Sequence, residues 1–158
     1  VPSEKLVLGL PLYGRSFSNV ENDASSPGGL FAHYKGAGKG SVEKGSYLMS
    51  DLLHNIQVTK ESGFKRYWDE ESKVPYLYNP TTKEFISYDN LQSLAYKVQF
   101  AHDENLGGVM VWALENDQTT KEALSLLYNG MKESGDLIKR AINSPHLTYK
   151  EMEKIIFK

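Results

Sequence analysis

Apolar residues are laid down along this chain in two kinds of pattern. Lys5 to Leu12 reads Lys-Leu-Val-Leu-Gly-Leu-Pro-Leu, and Gly107 to Leu114 reads Gly-Gly-Val-Met-Val-Trp-Ala-Leu. Both are short continuous apolar runs, which predict strands buried on both faces. Pro11 marks the end or edge of the first. Between them, Leu91, Leu94, Ala95, Val98 and Ala101 recur at helical spacing, which predicts a helix over Leu91 to Glu104. Asp89 is placed to cap its start, and Gly107 and Gly108 follow its end. After the second strand, Thr119-Thr120-Lys121-Glu122 fits a capping box. Ala123, Leu124, Leu127, Tyr128 and Met131 then predict one apolar helical face. Strand, helix, strand, helix is the grammar of a parallel α/β sheet or a (β/α) barrel.

The stretch from about Asn19 to Tyr88 breaks that grammar. Ser25 to Gly45 is rich in Gly and Ser and reads as loop. Tyr47 to Ile56 predicts a short helix with Leu48, Leu52 and Ile56 on one face. Three strand candidates follow, Phe64 to Trp68, Val74 to Tyr78 and Glu84 to Tyr88, with turn chemistry at Asn79-Pro80-Thr81-Thr82-Lys83. The expectation is a small α+β insertion placed after a barrel strand, hence on the active-site face. Turns at Ser134-Gly135 and Asn143-Ser144-Pro145, then an apolar stripe at Tyr149, Met152, Ile155 and Ile156, predict a helical tail. The expected division is 1–18, a barrel strand and mouth loop; 19–90, the α+β insertion; 91–131, helix, strand and helix of the barrel; and 132–158, a C-terminal helical extension.

Composition narrows the chemistry. A hydrophobic share of 40% over 158 residues suffices for a folded core. A formal net charge of −2 supplies no basic surplus for nucleic acid or anionic lipid. No apolar run approaches the ~20 residues that span a bilayer. With no cysteine there is neither a disulfide framework nor a thiolate metal site. His33, His54, His102 and His146 have no metal-ligand spacing, so no metal or cofactor is expected. Gly36-Ala37-Gly38-Lys39-Gly40-Ser41 lacks the phosphate-loop pattern and reads as a flexible loop. The chain begins Val1-Pro2-Ser3 without Met, and the expectation is a cut within a longer protein. Nothing in the sequence sets an oligomeric state.

Four residues are candidates for binding. Tyr13 and Arg15 follow the first strand directly, at the C-terminal mouth if that strand belongs to a barrel. An Arg fork and a Tyr face with its hydroxyl suit sugar hydroxyls and an acetamido carbonyl. By residue type alone the commoner use of such residues is structural, a Tyr-Gly turn with the Arg in an ion pair. Trp112 is either core or the floor of a pocket that stacks on a pyranose ring. Met110 shares its side of the strand by two-residue alternation. Glu115 and Asp117 invite a paired-carboxylate reading, but Asp117 is more simply a cap for the next helix.

At these residues the sequence resembles glycoside hydrolase family 18, the chitinases and their lectin-like relatives. The resemblance rests on Lys5-Leu6-Val7-Leu8-Gly9-Leu10-Pro11-Leu12-Tyr13-Gly14-Arg15-Ser16-Phe17, Val74-Pro75-Tyr76, Ile86-Ser87-Tyr88-Asp89 and Leu106-Gly107-Gly108-Val109-Met110-Val111-Trp112-Ala113-Leu114. Order and spacing fit from about Glu4 to Met131. It implies the C-terminal part of a (β/α)8 TIM barrel carrying a small inserted α+β domain. It implies chitin or chitin oligosaccharides as partner, no cofactor, and a secreted or cell-wall location. Tyr13 and Arg15 would line the sugar cleft, Trp112 would floor its central subsite and Met110 would lie beside it. The implied reaction is substrate-assisted hydrolysis with retention. Its acid belongs to a DxxDxDxE string, which does not occur here, and is expected upstream of Val1. This chain alone is therefore expected to be inactive. The alternatives are a non-catalytic chitin-binding lectin-like protein and an inactive truncated remnant.

Overall fold

The computed structural model describes residues 1–23, 25–56, 60–117, 121–132 and 136–143. In chain order the first elements are β1 (Val7–Pro11), β2 (Tyr13–Ser18), β3 (Gly36–Ala37), β4 (Ser46–Leu48) and α1 (Met49–Asp51), which runs on into a π turn at Leu52–Ile56. Then come β5 (Lys65–Asp69), β6 (Val74–Asn79), β7 (Glu84–Ser87), α2 (Leu91–Asp103), β8 (Gly108–Trp112), α3 (Glu122–Lys132) and α4 (Asp136–Asn143). They fall into two units. One comprises residues 1–11 and 90–158, the other 12–89.

In the first unit β1 and β8 pair in parallel, with Val7 opposite Gly108 and Pro11 opposite Trp112. The two apolar runs do form strands, but they are not buried on both faces. Leu10 is buried, while Val7, Met110 and Trp112 are exposed. The reason is the size of the sheet: it has two strands, and side chains alternate across it. Helix α2 buries Leu91, Leu94, Ala95, Val98 and Ala101, the spaced positions of the sequence. Its cap is Asn90, one residue later than the expected Asp89. The Asn90 side chain accepts from the Ser93 N–H at 2.9 Å, and the Ser93 hydroxyl accepts from the Asn90 N–H at 2.9 Å. That reciprocal pair satisfies two of the donors a helix start leaves open.

Helix α3 buries Ala123, Leu126, Leu127 and Gly130, a stripe rotated from the expected one. Tyr128 lies outside, with the Lys132 ammonium 4.3 Å from its ring centre. Gly130 packs beside Ile138 of α4, and the Gln92 side chain of α2 donates to the Ile142 carbonyl at 3.0 Å. Thr119 and Thr120 of the expected capping box lie outside the described residues, as does the apolar stripe from Tyr149 to Ile156.

The second unit is built on a six-stranded antiparallel sheet, ordered β3-β2-β7-β6-β5, with β4 also pairing β2. β2 lies inside this sheet. The segment Tyr13–Ser18, expected in a mouth loop, is therefore a strand of the second unit, whose limits are Leu12 and Asp89. Alternation divides its neighbours cleanly. Leu77 and Ile86 point to one face and pack with Leu52 and Tyr88; Tyr76, Tyr78 and Phe85 point to the other and pack with Val20. The Tyr76 and Tyr78 hydroxyls donate to the Pro27 and Val20 carbonyls, at 3.0 and 3.3 Å, and fasten the long loop after β2. Burying tyrosines here leaves their polar ends satisfied. The predicted helix from Tyr47 begins two residues late, because Ser46–Leu48 is recruited as an edge strand, Tyr13 opposite Leu48.

Candidate functional site

β2 presents Tyr13 and Arg15 on one side of the second unit's sheet, since they are two residues apart. The strand is held from both sides: Arg15 lies opposite Ser46 of β4 and opposite Ser87 of β7. Between them Gly14 lets the neighbours close in. A Cβ there would lie 2.6 Å from Leu52 Cδ1 and 3.1 Å from the Ser87 carbonyl oxygen. The Arg15 guanidinium carbon stands 4.9 Å from the centre of the Tyr13 ring. Its Nη1 is 3.8 Å from Glu43 Oε1, with both side chains more than half exposed. An exposed pair of this kind contributes ~0–1 kcal/mol, so it orients more than it stabilises. A guanidinium has five N–H donors, more than this one ion pair can use.

Below this surface is a buried polar cluster that the residue pattern did not reveal. Glu84, first residue of β7, is 4% exposed. Its Oε1 accepts the Lys39 N–H at 2.7 Å and the Tyr47 hydroxyl at 3.3 Å. Burial, and then the Glu84 charge, push the Tyr47 phenol well above its ordinary value. The Ser16 hydroxyl donates to the Lys39 carbonyl. The glycine-rich run from Gly36 is thus no flexible loop. Gly36 and Ala37 pair with Ser18 and Phe17 as an edge strand, and Lys39 is hydrogen-bonded at both main-chain groups. The glycines at 38, 40 and 45 were the signal, because a Cβ would be crowded at 38 and 40 and Gly45 has a positive φ. Glu84 carried none, since a Glu beside a hairpin turn is ordinarily solvated.

In the first unit, Met110 and Trp112 share the open face of β8, 50% and 69% exposed. Small or short partners lie opposite them on β1: Gly9 faces Met110 and Pro11 faces Trp112. A Cβ on Gly9 would meet Met110 Cε at 3.5 Å, an ordinary contact distance. Trp112 is not a core residue of this unit. A flat indole offers a face on which another ring can stack.

Asp117 is fully buried, and its Oδ2 accepts the Leu124 N–H at 3.0 Å. It caps α3 from a position before the helix, which supports capping over catalysis for this carboxylate. His102 Nε2 sits 3.0 Å from the Gly130 carbonyl, a structural contact between α2 and α3. Among the described residues no three His, Asp or Glu side chains converge as metal ligands, and no described helix is long and apolar enough to cross a membrane.

Known proteins are similar to this chain in sequence and fold. Residues 1–117 match the family Glycosyl hydrolases family 18. Chitinase A1 of Niallia circulans is 40% identical over 119 residues, which cover 75% of this chain and 16% of that protein. The structure of chitinase ChiA74 from Bacillus thuringiensis superposes with a TM-score of 0.71 at 32% identity, over 84% of this chain and 24% of that one. Human YKL-39, described as a pseudo-chitinase with retained chitooligosaccharide binding properties, superposes with a TM-score of 0.64 at 26% identity, over 90% and 36%. The chain thus spans well under half the length of each.

Proposed function

Because the chain belongs to glycosyl hydrolase family 18, we propose that it is the C-terminal part of a chitinase that hydrolyses β-1,4-linked N-acetylglucosamine polymers. In this reading the first unit supplies two neighbouring strands of a (β/α)8 barrel. The parallel pairing of β1 and β8, with α2 between them in sequence, supports it. The second unit is the inserted α+β domain of such enzymes.

The observation that carries the proposal is the match of residues 1–117 to the family, within which Trp112 ends β8 and Met110 lies two residues before it on the same face of the strand. Trp112 stacks under a sugar ring, Met110 fills the space alongside, and Arg15 and Tyr13 donate hydrogen bonds to sugar oxygens. Hydrolysis is substrate-assisted with retention. A glutamic acid protonates the glycosidic oxygen while the acetamido oxygen of the substrate attacks the anomeric carbon. That acid comes from residues preceding Val1. Asp117 is engaged in capping and takes no part. The task of these 158 residues is to hold and orient the polymer.

The similarity to human YKL-39 favours a second reading, a chitin-binding protein without turnover. One experiment addresses both. The full-length protein is titrated with chitin oligosaccharides and assayed for their cleavage. Binding with cleavage supports the chitinase, binding alone the lectin-like protein, and no binding removes both.

A further inference from the structure

The buried cluster around Glu84 has a partner at the surface. Beyond Lys39 the chain turns sharply and returns at Gly45. The Gly45 N–H reaches the carbonyls of Gly38 and Lys39, at 3.0 and 3.2 Å. The Ser41 N–H donates to the Ser46 carbonyl at 3.0 Å, and the Ser46 N–H to the Glu43 carbonyl at 3.1 Å. A Cβ on Gly40 would run into the backbone of Glu43 and Ser46, so the turn closes fully on itself. The residue this turn presents is Glu43, which faces the Arg15 guanidinium at 3.8 Å.

Both members of that pair are largely exposed, and water and salt weaken such pairs. Side-chain attraction alone does not fix their geometry; the backbone under Glu43 does. That backbone is gripped at Lys39 from two strands, by Ser16 of β2 at the carbonyl and by Glu84 of β7 at the N–H. A carboxylate taken out of water is costly unless hydrogen-bonded. Glu84 meets that cost by accepting from the turn and from Tyr47.

We propose that Glu84 is a positioning residue for sugar recognition: a buried clamp that sets the turn from Lys39 to Gly45 and, through Glu43, the direction in which Arg15 presents its fork. The proposal rests on the reading of Arg15 as a sugar-binding residue. Glu84 touches no ligand itself. Loss of the clamp lets the turn move, Glu43 withdraws, and the Arg15 side chain samples orientations that miss the sugar oxygens.

The test is a set of titrations of the full-length protein with a chitin oligosaccharide. Glu84→Ala is expected to weaken binding several-fold. Glu84→Gln keeps an acceptor of the same shape and is expected to bind within about twofold of the unmodified protein, the margin a single retained neutral hydrogen bond allows. Added to Arg15→Ala, Glu84→Ala is expected to cause no further loss, because its effect passes through Arg15. Unchanged binding in Glu84→Ala overturns the proposal, as does an equal loss on the Arg15→Ala background. If Arg15→Ala itself binds normally, the sugar-binding reading falls and takes this inference with it; if Arg15→Ala weakens binding while Glu84→Ala does not, only this inference falls. Should Glu84→Ala fail to fold, Gly38→Ala applies the same test from the turn side. Its Cβ would lie 2.7 Å from Ser16 Oγ and 2.8 Å from Glu84 Oε1, forcing the clamp apart with Glu84 still present.

Discussion

The guanidinium carbon of Arg15 lies 4.9 Å from the centre of the Tyr13 ring, two residues earlier on the same strand. Arg15 is thereby held between an aromatic face and the Glu43 carboxylate, and a fork so placed is not interchangeable with an ammonium.

Chitin oligosaccharide binding by the full-length protein is expected to suffer most from Trp112→Ala, less from Arg15→Lys and least from Tyr13→Phe. Removing the indole deletes an aromatic platform, with stacking worth ~0.5–1.5 kcal/mol beyond the buried area by analogy with aromatic pairs. Arg15→Lys keeps the charge and loses the planar fork. Tyr13→Phe removes one hydroxyl, a net hydrogen bond of about 1 kcal/mol. Isothermal titration gives the ranking, and unaltered affinity in Trp112→Ala would remove Trp112 from the site.

The 158 residues by themselves are expected not to cleave chitin oligosaccharides. No DxxDxDxE string is present, and the Asp117 carboxylate is committed to the start of α3. The check is product release by the purified chain over long incubation; sustained release, with contaminating enzyme excluded, would show that an acid is present after all.

The same purified chain is expected to self-associate. Its parallel sheet has two strands and leaves Val7, Met110 and Trp112 in solvent. Open strand edges and apolar faces favour pairing with another copy. Light scattering across a concentration series decides it: a monomer that melts in one sharp transition contradicts the expectation.

Alkaline pH is expected to destabilise the second unit. Burial, and for Tyr47 also the Glu84 charge, raise the phenols of Tyr47 and Tyr88 above the ordinary value of 10.0. With the folded value raised, the unfolded chain gives up these protons first. The stabilisation is complete below pH ~10 and is lost progressively as pH rises beyond it. Denaturant melts in the full-length protein between pH 8 and 11 should show this decline, with a shallower slope in Tyr88→Phe. Equal slopes would mean that Tyr88 does not carry the effect.

Much of the α/β grammar was legible because it rests on spacing. Leu91, Leu94, Ala95, Val98 and Ala101 follow the helical period, and they are buried in α2. The runs around Leu10 and Val111 became strands. Exposure was less legible. A continuous apolar run reports what a strand can bury, whereas Trp112 and Met110 are open because of how many strands flank them, which no local pattern states. The same holds for β2. The Tyr-Gly-Arg sequence reads as turn chemistry, and it is a strand because distant segments, β4 and β7, pair with both its edges. Among the candidate residues, Tyr13 and Arg15 of the second unit and Met110 and Trp112 of the first were visible by residue type. Glu43 and Glu84 were not, since their roles follow from contacts made far along the chain.

The pairing of β1 with β8 also bears on biosynthesis. β1 leaves the ribosome first, yet its partner is translated only after the whole of residues 12–89. Closing so long a loop of unstructured chain carries an entropy penalty that grows with its length. If residues 12–89 collapse during translation, the slack between the two strands shrinks to the joints at Pro11 and Asn90, and the late pairing becomes a short closure. The second unit would then serve as an assembly device, and slowing its collapse would prolong the interval in which β1 stands open to a wrong partner.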